Sequence, residues 1–310
     1  MYKILLAPST FGSISNKPIK LLEKAKCKLV FNKYKSKLNQ NQLLSLASDC
    51  DGIIAGTELY NKQVIKKLKK LKVISRLGVG TDNIDIKAIS NQKIKLLVTQ
   101  SSPSRSVAEL AIGMILGILR KISTSDRNIR IGNWNKEMGN LFSFKSLGII
   151  GLGKVGKELV KLSSSFGVKI YVHDKNYDEI FCKKYNCEKV SLNKLLKNSD
   201  IVSLHINSTN KTKAIFDKKS FGIMKKNSVL VNTSRGSLIN EEDLRSALKN
   251  KLIAGAALDV FNTEPYHGRL VNLDNILLTP HIGSYAEEIR AQMELESAEN
   301  LIENLNFLHC

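Results

Sequence analysis

What most constrains this chain is an alternation that runs along its whole length: short runs rich in Ile, Val and Leu, each followed by a lysine-rich amphipathic stretch. YKILLA, CKLVF, DGIIAG, KVISRLG and KLLVTQ come first, and LGIIG, VKIYVHD, DIVSLHI, SVLVNTS, IAGAALDV and NILLTPH follow. Strands that alternate with helices form parallel sheets, because each connection must cross a sheet face and a helix makes that crossing. At 310 residues the chain exceeds one ordinary core, so two sheets in series, and with them two domains and a cleft, are expected.

Between the two sets lies SVAELAIGMILGILR, where Ser106 and Glu109 have capping-box spacing and predict the start of a long buried helix that opens the second domain. Its greasiest part, Leu110 to Leu119, is half of the roughly 20 residues a bilayer span needs and ends at Arg120 and Lys121, so it reads as a buried helix rather than a membrane span. The apolar start of MYKILLAPST is too short for a secretion signal. Cys27, Cys50, Cys182, Cys187 and Cys310 are odd in number and lack a CxxC pair, which argues against a disulfide framework and a zinc site. No metal is expected, and the expected compartment is the cytoplasm. The net charge of +20 comes from dispersed lysines, which predicts a solvated surface that attracts anionic substrates rather than a nucleic-acid groove. After His281, Ile289, Met293, Leu295, Leu301 and Leu305 predict a last helix that crosses back to the first domain, with candidate hinges near Val98 to Ser101 and near Gly283.

Gly151-Leu-Gly153-Lys-Val-Gly156 follows the apolar run Leu147 to Ile150 and precedes a helical stretch from Lys157 to Phe166. In a dinucleotide-binding turn the first glycine makes the bend, the second lets backbone approach a pyrophosphate, and the third allows close helix packing. The phosphates then rest on a helix N-terminus. Asp174 ends the next strand, 23 residues after Gly151, where a carboxylate can accept both ribose hydroxyls and repel a 2′-phosphate. NAD is favoured over NADP, although the cation of Lys175 beside it could tolerate the extra phosphate.

NTSRG (232–236), DVFNTEP (259–265) and LTPHIGS (278–284) each place polar residues directly after a strand-like run, where ligands gather at the carboxyl edge of a parallel sheet. Singly, Arg235 could be a surface ion-pair partner, Glu264 a turn acid and His281 a loop histidine.

In this order behind the glycine loop, the three segments resemble the D-isomer-specific 2-hydroxyacid dehydrogenase family. LGVGTDNIDIKAI (77–89), SRSVAELAIGMILGILR (104–120), LGIIGLGKVGKELV (147–160) and NTSRGSLINEEDLRSALKNKLIAGAALDVFNTEP (232–265) extend the likeness over nearly the whole chain. The resemblance implies an α/β fold of two Rossmann-like domains: an NAD-binding domain (100–283) inserted into a flavodoxin-like substrate-binding domain (1–99 and 284–310). It implies Arg235 as the clamp on substrate carboxylate and carbonyl, His281 as general acid/base, and Glu264 as the group that holds His281 and keeps a proton available near neutrality. It further implies the backbone of Gly78, Val79 and Gly80 as the grip on the substrate carboxylate, with Arg76 nearby. Lys154 and Val155 would face the pyrophosphate, Thr233, Ser234 and Arg235 would line the nicotinamide side, and Asp259 would hold the carboxamide region.

The early segments look most like the D-3-phosphoglycerate dehydrogenases of that family, in a short form without a regulatory domain. The expected reaction is hydride transfer between NAD and 3-phosphoglycerate or 3-phosphohydroxypyruvate, a step of serine biosynthesis, by a homodimer. Three departures bear on this: Pro103 replaces a common asparagine, Asn207 a usual proline, and Phe144 a frequent glycine near the arm that carries Trp134. A glyoxylate or hydroxypyruvate reductase is the first alternative. A non-catalytic NAD-sensing module like the dehydrogenase-related corepressors is the second, since fold alone does not decide between them. His205 is expected to be a structural strand-end histidine.

Overall fold

The structure is a computed structural model that describes residues 1–209, 212 and 214–306. Cys310 lies outside the described residues. The chain divides into two compact units, one built from Met1–Pro103 together with the last helix, the other from Ser104–Ser284. These divisions fall after Pro103 and Ser284, where the sequence reading set them after residues 99 and 283. The second unit is thus an insertion in the sequence of the first.

The first unit holds a parallel sheet of five strands: β1 (Lys3–Leu6), β2 (Lys28–Phe31), β3 (Gly52–Ala55), β4 (Val73–Arg76) and β5 (Lys95–Val98), in the order β2-β1-β3-β4-β5. Both faces are covered. Leu5, Ile53 and Ile74 point into one core with Leu43 and Ile65, while Ile4, Leu6, Ile54 and Val73 point into the other with Met293 and Leu301 of the last helix, Glu287–Asn306. This strict alternation is why the strands read as continuous apolar runs. The order reverses direction between β1 and β3, which is the flavodoxin-like switch point, and ligands of such sheets bind outside the strand ends there.

The second unit holds β6 (Ser146–Ile150), β7 (Lys169–His173), β8 (Cys187–Lys189), β9 (Ile201–Leu204), β10 (Val229–Asn232), β11 (Gly255–Leu258) and β12 (Ile276–Leu278), all parallel, in the order β12-β11-β10-β9-β6-β7-β8. Its switch point lies between β6 and β9, as in a Rossmann fold. The unit opens with the helix Ser104–Leu119, whose Ala108, Ala111, Met114 and Ile115 are buried against β6 and β10 residues such as Ile149 and Val231. That helix does not start with the expected capping box. It begins two residues earlier, directly after Pro103, and Ser106 Oγ donates to Gly283 O at 2.7 Å while Glu109 pairs with Arg105. Among the described residues no helix is long and apolar enough to cross a membrane, and no three His, Cys, Asp or Glu gather as a metal site.

Candidate active site

In the second unit the glycine loop connects β6 to the helix Lys154–Ser164. Gly151 has φ +99°, and a Cβ there would lie 2.3 Å from His205 O, so only glycine fits this turn. A Cβ on Gly156 would lie 2.1 Å from Gly151 O, which is the close packing the third glycine permits. Gly153 faces open space, and no side chain caps the helix behind it, so its first amides are available to an anion. Lys154 is exposed and Val155 half-buried at that helix start. Asp174, just past β7, accepts from the amides of Leu152 and Asn176, and in this way ties the glycine loop down.

Two buried polar atoms beside the loop have no hydrogen-bond partner among the described residues: Thr233 Oγ1 and His205 Nδ1. They follow Asn232 of β10 and Leu204 of β9, which are register neighbours. Burial lowers the His205 pKa to about 4, so its ring is neutral at physiological pH, and its Nε2 lies 2.8 Å from Ser203 Oγ. Buried groups of this kind are almost always satisfied in the working state of a protein. An open cradle at a helix start, an acid at the end of β7 and orphaned polar atoms at the switch point together fit a bound dinucleotide.

The loops after β10, β11 and β12 are locked to one another. Asn232 accepts from Ser234 N and donates to Arg235 O, and Ser234 Oγ donates to Leu204 O at 2.7 Å. Arg235 is half-buried, and its Nη1 donates to Ser234 O at 2.7 Å. A Cβ on Gly236 would lie 2.0 Å from the carbonyl carbon of Phe261, so the arginine loop touches the backbone of the segment that carries Glu264. Glu264 Oε1 accepts from Phe261 N at 3.1 Å, and Oε2 lies 2.9 Å from His281 Nδ1. This pairing fixes the ring orientation and leaves Nε2 as the reactive nitrogen. The imidazole keeps 38% of its side-chain surface exposed.

Sequence reasoning gave Asp259 to the carboxamide region and did not foresee its hydrogen bonds to the loop that carries His281. It is fully buried, with Oδ1 accepting from Thr279 Oγ1 at 2.6 Å and Ile282 N at 2.8 Å, and Oδ2 from Gly283 N at 2.9 Å. Burial pushes its carboxyl above the usual range, against the opposing pull of the Thr279 bond. Its carboxylate holds the loop on which His281 sits at φ +58°.

In the first unit, Gly78 (φ +136°), Val79 and Gly80 form a tight loop after β4. The Gly78 amide donates to Arg76 O at 3.0 Å, so it is already used. Arg76 lies under this loop: Nε donates to Gly80 O at 3.1 Å and Nη1 to Leu77 O. A Cβ on Gly78 would approach the guanidinium to 3.1 Å. Half of Val79 is exposed.

Residues 112–283 match the family model "D-isomer specific 2-hydroxyacid dehydrogenase, NAD binding domain". The chain is 36% identical to the D-3-phosphoglycerate dehydrogenase of Methanocaldococcus jannaschii, over 86% of this chain and 54% of that longer one. It is 35% identical to the glyoxylate reductase of Thermococcus litoralis (84% and 82% covered) and 33% identical to the hydroxypyruvate reductase of Thermotoga maritima (92% and 96%). It superposes on apo D-lactate dehydrogenase from Escherichia coli with a TM-score of 0.86 at 26% identity, covering 99% of this chain and 97% of that one. The fold and the glycine loop define an NAD-binding oxidoreductase. More narrowly, the chain belongs to the D-isomer specific 2-hydroxyacid dehydrogenase family.

Proposed function

We propose that this protein reduces a small, unphosphorylated 2-oxo acid, such as glyoxylate or hydroxypyruvate, to the D-2-hydroxy acid. The observation that carries this reading is the pairing of His281 with Glu264 at 2.9 Å at the carboxyl edge of an NAD-binding sheet. NADH, when bound, supplies the hydride. Gly151, Gly153, Lys154, Val155 and Gly156 would hold its pyrophosphate, Asp174 its ribose, and Thr233, Ser234 and Asp259 the nicotinamide end. His281 Nε2 delivers the proton to the carbonyl oxygen, Glu264 keeps the ring turned for that transfer, and Arg235 orients the substrate carboxylate. In the first unit, the loop of Gly78, Val79 and Gly80 takes the substrate carboxylate, with Val79 and Gly80 offering the amides.

Arg76 favours the unphosphorylated substrates over 3-phosphohydroxypyruvate, because its guanidinium is spent on backbone carbonyls. The phosphorylated substrate, and a role in serine biosynthesis with it, is the second reading, favoured by the Methanocaldococcus relative. Following NADH oxidation with glyoxylate, hydroxypyruvate and 3-phosphohydroxypyruvate in parallel tests this choice. A higher kcat/KM for either unphosphorylated acid supports the proposal, a higher value for the phosphorylated one overturns it, and no turnover with any would favour the NAD-sensing module.

The working form we propose is a cytoplasmic homodimer. Ile129, Ile131, Trp134, Met138, Leu141 and Phe144 are all more than half exposed within one segment of the second unit, and apolar surface so concentrated marks an association face. Sedimentation equilibrium of the intact protein against Trp134→Glu tests it.

A further inference from the structure

Glu264 sits on a short turn, residues 261–266, that has no regular secondary structure of its own. The two ends of the turn are stacked, with the Phe261 and Tyr266 ring centres 4.2 Å apart and their planes at 22°. A second hold comes from Glu241, the first residue of the helix Glu241–Lys249. Its Oε1 accepts from Asn262 N at 2.8 Å, while Asn262 Nδ2 donates to Ile239 O at 3.2 Å, just before that helix. Consecutive amides of the turn are thus taken by two carboxylates, Asn262 N by Glu241 from outside and Phe261 N by Glu264 Oε1 from within. The inner carboxylate is the one that meets His281 Nδ1 at 2.9 Å. Burial, and after it the charges of Glu241 and Glu242, push the Tyr266 hydroxyl up, which keeps it neutral as the acceptor for Leu270 N at 3.3 Å. Among the described residues no cation pairs with Glu241, whereas its neighbour Glu242 pairs with Arg245.

We infer that Glu241 is a positioning residue for proton delivery: by holding the Asn262 amide it fixes the turn that sets Glu264 against the His281 ring. This rests on the reduction proposed above and adds a residue that acts on it through Glu264. A charged acceptor makes a hydrogen bond about twice as strong as a neutral one, so one carboxylate can anchor a turn that lacks a ladder of its own. The competing role is local, since an acid in the first turn of a helix stabilises that helix through its dipole. The two roles part on the acceptor: Gln keeps an oxygen for Asn262 N and loses the charge, whereas Ala loses both.

The test follows backbone amide exchange by NMR in the protein alone, and kcat with NADH and glyoxylate or hydroxypyruvate, in the unmodified protein, Glu241→Ala and Glu241→Gln, with a thermal melt to check folding. Glu241→Ala should exchange faster at both Asn262 and Phe261. Its kcat should fall about tenfold, less than the roughly hundredfold that an ångström of misplacement can cost, with NADH affinity retained. Glu241→Gln should stay near the unmodified protein in both readouts. Added to Glu264→Ala, the Ala substitution should lower kcat no further, because residues that act through one another are not additive. Faster exchange at Asn262 alone, a loss in Glu241→Gln as large as in Glu241→Ala, or a full further loss in the Glu264→Ala background overturns the inference. Should Glu241→Ala fail to fold, Glu241→Asp, which keeps the charge on a shorter arm, must show the same rise in exchange at both amides. Failure of the proposed reduction is separate: it shows as no turnover of either oxo acid by the unmodified protein, and the amide exchange then decides the positioning by itself.

Discussion

Asp259 Oδ2 accepts the Gly283 amide at 2.9 Å, and through this bond the end of β11 holds the loop that presents His281. Its other oxygen holds Thr279 and Ile282. In Asp259→Asn one amide nitrogen must face a donor, leaving buried groups unpaired at a cost of about 1–3 kcal/mol. Denaturant unfolding should show that loss, and kcat should fall with it because the imidazole is less well held. Weaker NADH binding with unchanged stability would instead make Asp259 a cofactor ligand only.

Asp174 braces the glycine loop, and the ribose role proposed for it would be a second one that the same variant tests. Asp174→Ala removes the acceptor for Leu152 N, which loosens the glycine loop for any dinucleotide, and it removes the repulsion of a 2′-phosphate. Calorimetric titration should therefore show weaker NADH binding and a narrower preference over NADPH. Equal weakening of both cofactors would leave Asp174 as a brace alone.

His205 links the switch point to acid stability. Its pKa is lowered to about 4 by burial, against about 6.5 in an unfolded chain. Between those values the unfolded state binds a proton that the folded state does not, so the stability present above pH 6.5 is lost as pH falls toward 4. The loss is of order 3 kcal/mol. Denaturation midpoints of His205→Asn should change less with pH across that window. A pH dependence identical to that of the unmodified protein would mean that other groups govern it.

Much of this was legible because parallel strands buried on both faces leave apolar runs, and because Arg235, Glu264 and His281 each follow such a run. What escaped depends on burial and long-range backbone. Glu241 reads as an ordinary helix-start acid in INEED until the fold brings Asn262 N to it. Asp259 acts on amides more than 20 residues onward, and no local spacing reports that. Ser106 fits a cap by spacing, but the chain already turns helical at Ser104 and gives the Ser106 hydroxyl to Gly283 O instead.

Glu264 should set the orientation of the His281 ring. Without the carboxylate 2.9 Å away, Nδ1 loses the partner that fixes the ring and Nε2 is no longer held in one orientation. The kcat of Glu264→Ala should fall with NADH affinity retained, and an unchanged kcat would contradict the pairing.

The central claim is that His281 is the proton donor of an NADH-dependent reduction. Steady-state turnover of His281→Gln with glyoxylate and hydroxypyruvate, beside NADH binding by fluorescence titration, tests it most directly. The account predicts a loss in kcat of about a hundredfold or more with NADH affinity retained. Turnover close to that of the unmodified enzyme would contradict it.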